Sequence, residues 1–210
     1  MNYIEVKNVN KSFKNKYVLT EISLSLDKGR CYGFVGHNGC GKSMLMKAIC
    51  GYIETDCGII TVNGKQIIGG KKFIENAGVL IEAPQWMGLL TGYQNLKILA
   101  DIQKIIGDAE LLEALALVGL KEEKDKKVRK YSLGMKQRLR IAQAIMEDPE
   151  ILVLDEPFNG LDKDGVKEMQ DLMKLYKKRN KTILLCSHDE RQIEYLCDVV
   201  YEISEGRLVK

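Results

Sequence analysis

Little in this sequence bends or staples the chain: it has three prolines, two histidines and one tryptophan in 210 residues. No Pro-rich linker, low-complexity tract or internal repeat interrupts it, so one continuous domain is expected. The six cysteines (Cys31, Cys40, Cys50, Cys57, Cys186, Cys197) never fall in a C-x-x-C pair. With so few histidines there is no zinc spacing either, and the thiols read as small core residues. Charge of one sign is also lacking. The 32 Lys and Arg against 29 Asp and Glu leave only +3, too little to nominate a nucleic acid as partner. The longest stretch without Asp, Glu, Lys or Arg, residues 83–96, contains Pro, Gly, Gln and Asn and is too short and polar to span a bilayer. The opening MNYIEVKNVNKSF lacks an apolar core behind a basic head. A cytoplasmic chain is therefore expected, reaching a membrane only through a partner.

What is present is ordinary globular composition, 45% apolar and 29% charged, arranged in an informative order. The first 70 residues carry strand-like pieces at 3–6, 18–26 and 58–68, the last turning at Asn63-Gly64. Residues 31–35 form a short apolar strand, followed by a glycine-dense loop and a helical pattern over 42–50 closed by Gly51. A further strand is expected over 78–81. From 92 to 144 apolar residues recur at helical spacing, with Gly107 and Gly119 as breaks, which predicts a helical insertion. Uniform apolar runs at 151–154 and 182–186, separated by a helix over 163–179, are typical of strands covered on both faces. The frame is α/β with a parallel sheet.

Gly36-His37-Asn38-Gly39-Cys40-Gly41-Lys42-Ser43 fits G-x-x-x-x-G-K-[ST]. It lies where a strand hands over to a helix, as phosphate binding requires: glycines let backbone N–H groups converge, and the helix amino terminus adds partial positive charge. Lys42 would reach the β- and γ-phosphates, and Ser43 would ligate Mg²⁺. The run 151–154 ends in Asp155 and Glu156, which predicts a magnesium ligand and a carboxylate that polarises the attacking water; the plainer alternative is a cap for the next helix. Ser187 and His188 follow the run 182–186. Ligands of such sheets bind at the carboxyl ends of strands, and Gly36, Asp155 and His188 each follow one. His37 reads as loop lining. Cys40, two residues before Lys42, is expected to be a thiol that maleimide attacks and MgATP protects.

Tyr131-Ser132-Leu133-Gly134-Met135-Lys136-Gln137-Arg138 resembles the signature sequence of ABC-transporter ATP-binding subunits, and nearly the whole chain matches that family in order. Phe13 resembles the aromatic that stacks on adenine, Gly36 to Ser43 with Met44 the Walker A loop, and Glu82 the Q-loop position. Residues 151–156 resemble Walker B with its catalytic Glu156, Asn159-Gly160-Leu161-Asp162 the D-loop, and His188 the switch histidine. The resemblance implies a P-loop NTPase fold with a mixed sheet, an antiparallel β subdomain and an inserted helical subdomain. The core would be residues 1–82 and 145–210, and the helical signature subdomain 83–144. It implies an ATPase using ATP and Mg²⁺, held by Ser43, Asp155 and Glu82, with Lys42, Glu156 and His188 catalytic. It also implies a homodimer or a paired ATPase subunit, with Ser132, Gly134 and Met135 acting in trans and Asp162 in the D-loop. Two departures stand out: Leu133 and Met135 replace the third and fifth residues of L-S-G-G-Q, and Glu82 replaces glutamine. Such variants resemble the peptide-antibiotic (bacitracin and lantibiotic) exporter and immunity branch.

The same resemblance places a transmembrane permease subunit against residues 83–90, from Ala83 through Trp86, Met87 and Leu89 to Leu90, and the ATPase on the inner face of the membrane. Residues 121–140 carry nine Lys or Arg against three Asp or Glu, a solvated face that also adjoins Ser132. The alternative is a soluble superfamily ATPase acting on translation or DNA. One cassette fills the chain, and the 50 residues from Glu82 to Ser132 hold no sustained heptads. A generic P-loop kinase is opposed by the signature and by the tandem Asp155-Glu156.

Overall fold

The structure, a computed structural model, describes residues 2–14, 16–82 and 85–209. Two sheets form. The first is antiparallel, order β2-β1-β4-β5, built from β1 (Ile4–Phe13), β2 (Lys16–Leu26), β4 (Cys57–Val62) and β5 (Lys65–Ile67). Residues 63 and 64 turn the β4–β5 hairpin as Asn-Gly predicts, both with positive φ. β1 is much longer than residues 3–6: it runs on through polar Asn8, Asn10 and Lys11 past several register shifts, one bringing Asn8 to φ 47°.

The second sheet has the order β10-β9-β3-β8-β7-β6. β3 (Cys31–Val35), β6 (Ala77–Leu80), β7 (Ile151–Asp155), β8 (Thr182–Cys186) and β9 (Val199–Ser204) are parallel, and β10 (Arg207–Leu208) pairs antiparallel at the edge. The sheet is therefore mixed. Alternation along its strands decides the layers. Leu152, Leu154, Ile183 and Leu185 enter one core, with α2 (Gly92–Gln103), α3 (Asp108–Leu117), α4 (Leu133–Ile145), α5 (Lys163–Lys178) and α6 (Glu190–Leu196). Ile151, Val153, Leu184 and Cys186 enter the other, against α1 (Lys42–Cys50) and the antiparallel sheet. Both faces are covered, as the uniform apolar runs required.

The helices of the 92–144 stretch start on sequence-local devices. Thr91 caps α2 in a full capping box with Gln94, and Gly107 precedes α3 with Glu110 reaching back to its N–H. Their apolar faces share one core with the sheet, so this region is anchored rather than loosely appended. No helix among the described residues is long and apolar enough to cross a membrane.

Candidate active site

β3 delivers the chain into a loop that only glycine can shape. Gly36 has φ 142°, and a Cβ there would stand 2.2 Å from the Ile203 carbonyl of β9; at Gly41, φ 118°, it would stand 2.7 Å from the Val18 carbonyl. Gly41 precedes α1 and no side chain caps that helix, which leaves first-turn N–H groups facing outward for an anion. Lys42 is buried, its Nζ donating to the Gly36 carbonyl at 2.6 Å and the His37 carbonyl at 3.2 Å. The cation is thus held across the loop by the loop's own backbone. His37, Asn38 and Gly39 are exposed, and the His37 ring only meets the Asn38 carbonyl. Cys40 departs from expectation: at 2% exposure its side chain belongs to the core beneath the loop, out of a reagent's reach, whereas Cys57 is exposed.

Asn38, Gly39, Lys42, Ser43, Met44, Asp155 and Glu156 line one cleft of about 180 Å³. Val18, which the sequence reading missed, completes its wall. Burial pushes the Asp155 carboxyl above its usual range, against the pull of the Ser43 hydroxyl and of Lys42 and Lys47. Glu156 follows with φ 51°, a left-handed backbone that costs about 1–2 kcal/mol at a non-glycine residue. Several bonds hold it there. Its N–H donates to the Cys186 carbonyl at 2.9 Å, its carboxylate meets His188 Nδ1 at 2.9 Å, and its carbonyl accepts from Asn159 N–H at 3.3 Å. The carboxyl ends of β3, β7 and β8 therefore bring Lys42, Ser43, Asp155, Glu156 and His188 together. A roomier cavity, about 920 Å³, lies instead beside Lys28, Asn76 and Glu150, which precede β3, β6 and β7. That is the amino edge of the sheet, where this class does not place its ligands.

Other predicted residues stand apart from the cleft. Glu82 (φ 62°) turns its carboxylate to Lys47 of α1, and it lines a neighbouring groove with Tyr52, Arg140 and Gln143. Phe13 is 45% exposed at the end of β1, with Lys11 Nζ 4.9 Å from its ring centre. Asp56 fixes that strand end, accepting from the Ser12 N–H at 2.7 Å, the Ser12 hydroxyl at 2.6 Å and Lys11 at 3.2 Å; the Ser12 bonds and then Lys11 lower its carboxyl pKa. Ser132 caps α4, its hydroxyl accepting from Met135 N–H at 3.1 Å, and Asp162 caps α5 through Gly165 N–H at 2.9 Å. Met135 packs on the helical core, whereas Leu133 is 65% exposed and lies over Gly160, whose absent Cβ would stand 2.7 Å from Leu133 Cγ. None of residues 131–135 lines the P-loop cleft.

Ala83 and Pro84 lie outside the described residues. Beyond them Trp86 packs partly against the helical core, its Nε1 buried without a hydrogen-bond partner among the described residues, while Met87 and Leu89 are exposed. Buried Asn95 bonds both backbone groups of Met87, and the carbonyls of Gly88 and Leu90 accept from the N–H groups of Arg129 and Val128. The loop is thereby tied to the turn that leads into Ser132. Neither Asn95 nor the groove residues Tyr52, Leu99 and Ile102 had a sequence signal beyond their polarity or helical spacing.

A Gly-rich turn feeding an uncapped helix, beside an Asp–Glu pair at the next strand ends, defines a P-loop nucleotide triphosphatase. The ABC transporter family model matches residues 19–159. An uncharacterized ABC transporter ATP-binding protein, YybJ of Bacillus subtilis, is 44% identical over 98% of this chain and 94% of its own length. The bacitracin transport ATP-binding protein BcrA of Enterococcus faecalis is 40% identical over 99% of this chain and 68% of its own. In fold, a dimeric ATP-binding cassette in a post-hydrolysis state with ADP and phosphate superposes with TM-score 0.88, at 22% identity, over 99% of this chain and 97% of that one. The chain belongs to the ABC transporter family, as its ATP-binding, ATP-hydrolysing cassette.

Proposed function

We propose that the chain binds MgATP at the carboxyl edge of β3, β7 and β8, pairs with a second cassette to hydrolyse it, and drives a separate membrane subunit that exports a peptide antibiotic. The observation that carries the chemistry is the Glu156–His188 contact at 2.9 Å beside the Lys42–Ser43–Asp155 cluster. Ser43 and Asp155 offer hard oxygens that suit Mg²⁺; bound there, the metal neutralises phosphate charge. Lys42 and the uncapped N–H groups of α1 hold the phosphates. Glu156 accepts the attacking water's proton, and His188 orients that carboxylate and faces the transferred group. Phe13 is an exposed aromatic at a strand end, suited to stacking on adenine.

Dimerisation follows from what one chain lacks. A cleft of about 180 Å³ falls below the ~300 Å³ from which ligand pockets start, and Ser132 and Leu133 are exposed at a turn outside that cleft. Facing a second copy, Ser132 and Gly134 would close the partner's site, with Asp162 beside them, while Met135 packs on the helical core instead. We take residues 83–144 as the subdomain that carries this turn and the face for the permease. Exposed Met87 and Leu89, and the groove that Tyr52 and Ile102 line, offer apolar surface for it, which would hold the cassette on the inner surface of the membrane. The peptide-antibiotic substrate rests on the bacitracin transport relative. Co-expression with candidate permease subunits and export assays with bacitracin-like peptides test it. A cassette that supports export only when Glu156 is intact is the expected result, and equal resistance with Glu156→Gln would reject it.

A further inference from the structure

Of the polar side chains in α4, Gln137 is the one that is almost fully buried, at 3% exposure. A buried amide must spend its donors and acceptor on neighbours, and here each choice is forced. Arg140, one turn on, donates to Gln137 Oε1 at 2.9 Å. Because a guanidinium cannot accept, that oxygen must face Arg140, and Nε2 must face the other way. There it donates to the Pro157 carbonyl at 2.8 Å and, more weakly, to the Glu156 carbonyl at 3.3 Å. The two carbonyls belong to the turn in which Glu156 holds its left-handed φ of 51°.

Each end of that turn has an independent anchor. On the sheet side Glu156 N–H is fixed to the Cys186 carbonyl of β8. On the carbonyl side Gln137 is the side chain that holds the peptides on both sides of Pro157. Relaxation of Glu156 toward an ordinary φ would swing those carbonyls, and with them the direction in which the carboxylate leaves the backbone.

We propose that Gln137 is a positioning residue for Glu156, and that Arg140 sets the amide orientation that makes this possible. Gln137 lies five residues after Ser132, ~7.5 Å along the same helix. The helix whose first turn faces a partner's nucleotide therefore also holds the catalytic turn of its own chain. Any shift of α4 against the sheet moves the Glu156 carbonyl, which ties the use of the signature in one site to the readiness of the base in the other. This rests on the reading of Glu156 as the base.

The test measures ATP affinity, turnover and thermal stability of the purified cassette for Gln137→Met, Gln137→Glu, Glu156→Gln and Gln137→Met combined with Glu156→Gln. Methionine keeps the length and helix preference of glutamine but cannot donate; an ionised glutamate keeps the shape and can only accept. Both single Gln137 variants are expected to lose about 10- to 100-fold in turnover, the scale of a small misplacement of a reacting group, with ATP affinity within about twofold of the parent. In the Glu156→Gln background the added methionine should change nothing further, because a residue acting through another is non-additive with it. Parental turnover in both Gln137 variants would overturn the proposal, as would equal losses of affinity and turnover or losses that multiply in the double variant. If Gln137→Met does not fold, Gln137→Glu alone decides by the same split. A Glu156→Gln cassette at parental turnover would instead reject the base assignment itself.

Discussion

The P-loop edge and the signature turn, both built at the ends of regular elements, solve their problems in opposite ways. At the P-loop the backbone makes the site: Gly36 and Gly41 fit against carbonyls that would collide with any Cβ, and Lys42 is satisfied by its own loop. At the signature turn the side chains make the surface. Ser132 caps the helix, and both it and Leu133, which lies over Gly160, are exposed. The first region draws its charged groups from one chain, whereas the second presents its side chains outside that cleft. On the proposed reading, a single cassette holds the chemistry but only half of the enclosure.

Breaking the first region should have the largest effect. Glu156→Gln keeps shape and hydrogen bonding but cannot accept a proton, and turnover should fall by about 10²- to 10⁴-fold with ATP affinity kept. Steady-state hydrolysis with equilibrium binding on one preparation checks it. Next comes the contact that joins the regions. Gly160→Ala places a methyl 2.7 Å from Leu133 Cγ at φ 79°, and should cost about 1–3 kcal/mol in denaturant unfolding. Adding Leu133→Ala should return the part due to the clash and leave the backbone strain.

The pH dependence of stability sharpens the account of the cleft. Burial raises the Asp155 pKa in the folded chain, so the folded state holds that proton more tightly than the unfolded one. Its contribution is fully present below the unfolded pKa and is lost as pH rises through the folded pKa. At neutral pH the ionised carboxylate is a cost, and Asp155→Asn should raise the Tm of the nucleotide-free protein while removing the magnesium-dependent part of stabilisation by ATP. Thermal melts at pH 5 and 7.5 check it, the gain being smaller at pH 5. The smallest change is expected at Glu82, whose carboxylate is exposed and paired with Lys47. Glu82→Gln should leave the Mg²⁺ concentration for half-maximal hydrolysis within about twofold of the parent.

The same contrast marks what could be read in the residues. β3, β7 and β8 are short apolar runs between punctuating glycines or charges, and the groups at their ends carry motif spacing, so that edge was legible. The tail was not: α6 has seven residues, β10 has two, and β9 mixes exposed Val200 and Glu202 with buried Ile203. β1 was cut short because its second half is polar and bulged. Asn95, Asp56 and Gln137 escaped notice because each role depends on which backbone group stands opposite after folding. The burial of Cys40 has no local signal, because its neighbours in sequence are loop glycines while its neighbours in space are the core.

The division of labour between the two regions can be tested by mixing two inactive cassettes, one carrying Lys42→Ala and one carrying Ser132→Asp. If the signature acts across a dimer, each mixed dimer has one site with both defects and one with neither. A 1:1 mixture should then regain roughly a quarter of the parental ATPase rate, since half the dimers are mixed and each has one of two sites intact. If the signature serves the nucleotide of its own chain, no site in the mixture is whole, and an ATPase rate no higher than that of the separate variants would contradict the account.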